Sequence, residues 1–120
     1  MQKSLFLVLG LLIGGAVMWF FAGRGSMPDV DPAAAERGQV FYQVCAACHG
    51  EDGAGNPDTQ APKLAGQYPW YLERQLQNFR AGLRGDSTDL NGFLMRAQAE
   101  GLPDEQAVSD VVAYIGTLRP

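Results

Sequence analysis

The chain has 120 residues, 47% of them hydrophobic and 18% charged, with two cysteines and a net charge of −4. That length excludes a barrel enzyme, a dinucleotide-binding sheet or two full domains, and two cysteines are too few for a disulfide scaffold. Residues 1–26 carry Lys3 and Arg24 and no acid, whereas the remainder carries 7 basic and 13 acidic side chains, so nucleic-acid binding through charge is excluded as well.

Leu5 to Gly23 is uncharged and almost wholly apolar, and as a helix it would span about 28 Å, one bilayer crossing. The run predicts an N-terminal transmembrane anchor over residues 1–23, a short linker over 24–31 and a soluble domain over 32–120. A cleaved signal peptide is the rival reading. Against it stand the length of the run and its end in Trp19-Phe20-Phe21, a cluster suited to a membrane interface. Lys3 favours a cytoplasmic amino terminus. Gly10 and Gly14 could admit a neighbouring helix, although glycines are common in membrane helices anyway. The linker reaches about 30 Å when stretched, which holds the domain near the membrane.

Asp31-Pro32 reads as a helix start, an N-cap followed by proline at the first helical position. Val40, Phe41, Val44 and Cys45 then share a helical face. Gly50 to Gly66 reads as loop. Pro69 opens a second helix with Leu72, Leu76, Phe79 and Leu83 on one side, closed by Gly82 and Gly85. Residues 86–92 read as loop again. Pro103-Asp104-Glu105 starts a third helix with the stripe Val108, Val111, Val112, Ile115 and Leu118. Nothing alternates with period two, so the domain is expected to be all-α.

Cys45-Ala46-Ala47-Cys48-His49 is the sharpest signal, a pattern associated with covalent haem attachment. Two thiols one helical turn apart can add to the two vinyl groups on one edge of a porphyrin, and the next residue can turn its imidazole onto the iron. One haem c attached through Cys45 and Cys48 would also enlarge the core of a small domain. A thioredoxin-like pair would need a neighbouring strand, a zinc site further Cys or His, and a plain disulfide would leave His49 unexplained.

His49 is the only histidine, so a second histidine ligand from this chain is impossible. Met1 and Met18 belong to the membrane segment and Met27 to the linker, which leaves Met95 as the candidate sixth ligand. The alternatives are an open site, Met27 or a lysine.

The segments 37–50, 61–67, 71–85 and Met95 through Ile115 resemble the class I c-type cytochromes, and more closely the single-haem units of bacterial two-haem cytochromes c. The resemblance implies a class I cytochrome c fold with His49 and Met95 on the iron. It also implies that the Pro62 carbonyl accepts a hydrogen bond from His49, and that Gly38 and Phe41 pack the first helix against the last near Tyr114.

An iron closed on both faces suits single-electron transfer. The expectation is a respiratory electron carrier in the cytoplasmic membrane, its haem domain on the periplasmic or outer face, tethered between a quinol-oxidising complex and a terminal oxidase or reductase. A fixed subunit of such a complex or of a periplasmic dehydrogenase is the alternative. A haem enzyme or gas sensor would require Met95 to leave the iron open. Lys63, Arg84 and Arg96 stand where they could pair with haem propionates or form a contact patch.

Overall fold

The computed structural model describes residues 29–119. The anchor expected over 1–23, with Gly10 and Gly14, and most of the linker lie outside the described residues. Among those described, no helix is long and apolar enough to cross a membrane.

Four helices make up the domain: α1 (Pro32–His49), α2 (Pro69–Arg80), α3 (Leu90–Glu100) and α4 (Glu105–Thr117). Among the described residues no strand forms; the sole bridge pairs Asn56 with Ala61 inside the loop before α2. The all-α expectation therefore holds.

Asp31 caps α1 by accepting from the Ala33 amide at 3.0 Å, and Pro32 follows at the first helical position. The face that α1 buries is Ala34, Ala35, Gly38, Tyr42, Ala46 and His49. This corrects the expected face, because Val40 and Val44 are exposed while Phe41 and Cys45 are half-buried. The partner helix explains the difference. At Gly38 the α4 backbone comes so close that a Cβ would stand 1.9 Å from the Asp110 carbonyl oxygen. Small residues are needed at such a crossing, and larger apolar ones are turned away from it.

Arg37 beside that crossing grips the Asp110 carboxylate with two bonds of 2.8 and 2.7 Å. Asp110 is only 3% exposed, and the Arg37 guanidinium holds its carboxyl below the usual carboxylate range against the opposing effect of burial. Tyr42 packs on Tyr114 with ring centroids 5.1 Å apart. The expected contact of the first and last helices thus forms, with Tyr42 as the aromatic that meets Tyr114.

The second helix runs antiparallel to α4: Ser109 donates to Glu73 at 3.0 Å and Gln77 to Glu105 at 3.1 Å. It buries Leu72, Leu76 and Phe79. Leu83 falls beyond its end and is exposed, because Gly82 turns the chain through a left-handed φ of 70°. Asp104 caps α4 on the Ala107 amide at 2.8 Å, and Val108, Val111, Val112 and Ile115 are buried as expected. Leu118 packs at the edge of the same cluster.

The third helix, α3, replaces part of an expected irregular connection. Asp89 starts it by accepting from the Gly92 amide at 2.9 Å. Its buried residues are Gly92 and Ala99, too small to mark an apolar stripe.

Candidate functional site

The last turn of α1 carries the three residues of the attachment pattern. Cys45 and Cys48 are both free thiols; Cys45 is half-buried and Cys48 exposed. Burial pushes the Cys45 thiol up from its ordinary pKa, so it stays protonated at neutral pH. His49 is the final helical residue and only 6% exposed.

The loop from Gly50 to Tyr68 folds back to meet this turn. Gly55 donates to the His49 carbonyl at 2.9 Å, and the Gly53 carbonyl accepts from the Leu64 and Ala65 amides. At Gly55 a Cβ would lie 2.7 Å from the Lys63 amide and 2.8 Å from the Ala61 carbonyl, and its φ is 86°. Only glycine allows the two arms of the loop to lie that close. Their approach brings the Pro62 carbonyl within 2.7 Å of His49 Nδ1. A carbonyl oxygen can only accept, so the proton sits on Nδ1 and the lone pair on Nε2. That is the tautomer a metal-binding imidazole requires.

The structure thus brings Cys45, Cys48, His49 and Pro62 together. Met95 lies on α3, half-buried, and like Phe41, Cys45 and Leu64 packs against the common core. Leu90, Phe93 and Leu94 around it are exposed. Of the three cations noted above, Arg84 bonds Gln75 at 2.8 Å and lies 4.6 Å over the Phe79 ring. Arg96 pairs with Glu100 at 2.7 Å, and Lys63 is exposed. Gly55 is the site residue that sequence reasoning missed; its signal was a glycine in a loop whose partner arm carries Ala-Pro-Lys.

These residues fit a haem attached at Cys45 and Cys48. The thiols sit one turn apart on one helix end, the imidazole is held in the ligating tautomer, and Phe41, Leu64 and Met95 offer half-covered apolar surface. Bound haem c supplies iron that takes up and releases one electron at a time. The chain's own part is to orient the His49 ring through Pro62, to keep its proton on Nδ1 and to exclude water from it by burial.

Comparison with known families matches residues 35–119 to Cytochrome c. The cytochrome c4 of Stutzerimonas stutzeri is 32% identical over 110 residues, which are 84% of this chain and 51% of that protein. The cytochrome subunit of sulfide dehydrogenase from Chlorobaculum tepidum is 30% identical over 108 residues, 90% of each. The crystal structure of reduced recombinant cytochrome c4 from Pseudomonas stutzeri superposes with a TM-score of 0.67 at 30% identity, covering 80% of this chain and 54% of that one.

The fold and the attachment turn are those of an all-helical class I c-type cytochrome. The chain belongs to the cytochrome c family, with one haem c attached through Cys45 and Cys48 as its cofactor. It is similar to cytochrome c4 and to the cytochrome subunit of a dehydrogenase, and it spans about half the length of the cytochromes c4 that it matches.

Proposed function

We propose that the chain is a membrane-anchored electron carrier of a bacterial respiratory chain. Residues 1–23 hold it in the cytoplasmic membrane, and the haem domain lies on the periplasmic face. His49 and Met95 would hold the haem iron, which supplies single-electron chemistry. Electrons pass singly from a quinol-oxidising complex to a terminal oxidase or reductase. The observation that carries this reading is the 2.7 Å bond from His49 Nδ1 to Pro62, which prepares Nε2 for iron. Met95 is the only methionine among residues 29–119 and supports the same reading, because methionine closes the second face and raises the potential.

Met95→Ala tests the ligand set. The reduced variant is expected to bind carbon monoxide and to have a lower potential than the wild type, whose iron binds none. If the variant and the wild type behave alike in both measurements, Met95 is not a ligand.

A second reading has one observation in its favour: a relative matched over 90% of its own length is named as the cytochrome subunit of a dehydrogenase. The chain would then be a fixed subunit of a periplasmic dehydrogenase complex. A native gel of gently solubilised membranes, stained for haem, separates the two. A carrier migrates alone or as a small oligomer, and a subunit stays in a large band through mild changes of salt and detergent.

A further inference from the structure

Tyr68, Trp70 and Tyr71 form an exposed aromatic cluster at the start of α2, with 61%, 61% and 37% of their surface open. The Tyr68 and Trp70 rings stack at 6.3 Å and 21°, and Tyr71 meets Trp70 edge-on at 6.0 Å. The rings form one continuous patch. Leu64 through Leu72 carries no charged side chain, between Lys63 and Glu73, in a chain of net charge −4. A face built to dock a charged protein would carry matching charge. Tryptophan and tyrosine together, with apolar bodies and polar tips, suit the headgroup layer of a bilayer.

The place of the cluster in the fold points the same way. The pairs Glu73–Ser109 and Gln77–Glu105 fix the antiparallel register of α2 and α4. In that register Trp70, one turn before Glu73, stands level with Val112 and Ala113, one turn beyond Ser109. Val30, where the described chain enters the domain, lies against Gly116, whose Cβ would meet the Val30 side chain at 2.9 Å. Gly116 is about 6 Å further along α4 than Val112. Val30, among the first described residues after the apolar run, and the aromatic cluster therefore occupy the same end of α4.

We propose that Tyr68, Trp70 and Tyr71 insert into the headgroup layer of the bilayer that holds residues 5–23, so that the haem domain is seated on the membrane in one orientation. This rests on the anchor proposed above. The tether supplies nearness, and the three rings supply direction. Interfacial insertion adds a second attachment point to the tether, and two points separated on the domain surface restrict its rotation.

The test uses the full haem-loaded chain in phosphatidylcholine vesicles. With Cys45 and Cys48 occupied by haem, Trp70→Cys provides one reactive thiol for a nitroxide label, and Ser87→Cys provides one on the exposed connection between α2 and α3. Collisions with oxygen, which concentrates in lipid, are compared with those of a water-soluble nickel chelate. The oxygen-to-nickel ratio is expected to be several-fold higher at position 70 than at 87. In oriented multilayers the haem signal of the wild type is expected to depend on sample angle. It loses that dependence in the triple variant Tyr68→Ser/Trp70→Ser/Tyr71→Ser, whose unchanged haem absorption reports an intact fold.

Equal ratios at 70 and 87 in protein that floats with the vesicles overturn the inference and leave the anchor standing. A high ratio at 70 with an unchanged angular signal in the triple variant overturns the orienting effect. Shielding of position 70 in native membranes but not in lipid vesicles assigns the face to a protein neighbour and overturns it too. Failure to float removes the anchor, and the inference with it.

Discussion

At the α1–α4 crossing two backbones touch, whereas over α3 and the loop before α2 many apolar side chains stop partway into solvent. The crossing is complete in protein atoms. Gly38 admits the Asp110 backbone, Arg37 neutralises the Asp110 carboxylate with two bonds, and Val108 and Val111 are fully buried. The other region offers Leu64 and Met95 half-covered, beside Phe41 of α1, and leaves Leu90, Phe93 and Leu94 exposed. One region packs protein on protein. The other leaves apolar surface that a haem attached at Cys45 and Cys48 would cover, and its stability would then depend on that group.

Removing the group should therefore divide the molecule along this line. In Cys45→Ser/Cys48→Ser most helical signal is expected to be lost, because a domain this small has little core to spare. Whatever hydrogen-exchange protection survives should lie in α1 and α4. Protection that survives in α3 instead would break the comparison.

Gly38→Ala attacks the crossing directly. The added Cβ meets backbone atoms at 1.9 and 2.4 Å, which no rotamer change relieves, so a loss of about 3 kcal/mol or more is expected in denaturant titration of the haem-loaded protein. Gly66→Ala is the counterpart outside it. Nothing lies within 4 Å there, and the cost should be only about 1 kcal/mol, set by its positive φ. Similar losses for the two would show that the close approach is not what holds α1 to α4.

Tyr42→Phe removes the 2.8 Å bond from the phenol to the Gly50 carbonyl and should cost about 1 kcal/mol. Burial pushes the phenol up to about 12. The wild type should therefore lose stability as pH rises from about 10, the unfolded value, towards that figure. That component should be absent from Tyr42→Phe when melting is followed against pH.

The smallest effect concerns acid. Because Arg37 lowers the Asp110 pKa in the folded state, the stabilisation is complete above the unfolded value of about 4 and is lost as pH falls through the folded one. Asp110→Asn should be less stable at neutral pH and show a shallower acid slope. An unchanged slope would mean that the pair contributes nothing to the crossing.

The same division governs what could be read from the sequence. The attachment turn, the α4 stripe and the proline starts of α1 and α2 were legible because each is a local pattern with its own chemistry. The buried face of α1 was not. Hydrophobic spacing pointed to Val40 and Val44, whereas the crossing selects Ala34, Ala35 and Gly38 for smallness, a demand made by a helix 73 residues away. Helix α3 was hidden for a related reason, since Gly92 and Ala99 are its buried residues; the Asp89 cap was its only local mark. Gly55 became meaningful only when Lys63 was seen beside it. Pro62 was reached by resemblance to relatives, and the geometry of the loop supplies the reason it works.

The separation of Arg37 from Asp110 also has a consequence for how the chain is completed. The best-packed interface closes a loop of 73 residues, an ordering cost met before any of its contacts can repay it. Until α4 docks, α1 has its alanine and glycine face bare. In that interval the turn that carries Cys45 and Cys48 has not yet been joined to the finished fold. The topology thus leaves a period in which covalent loading can precede final closure of the fold.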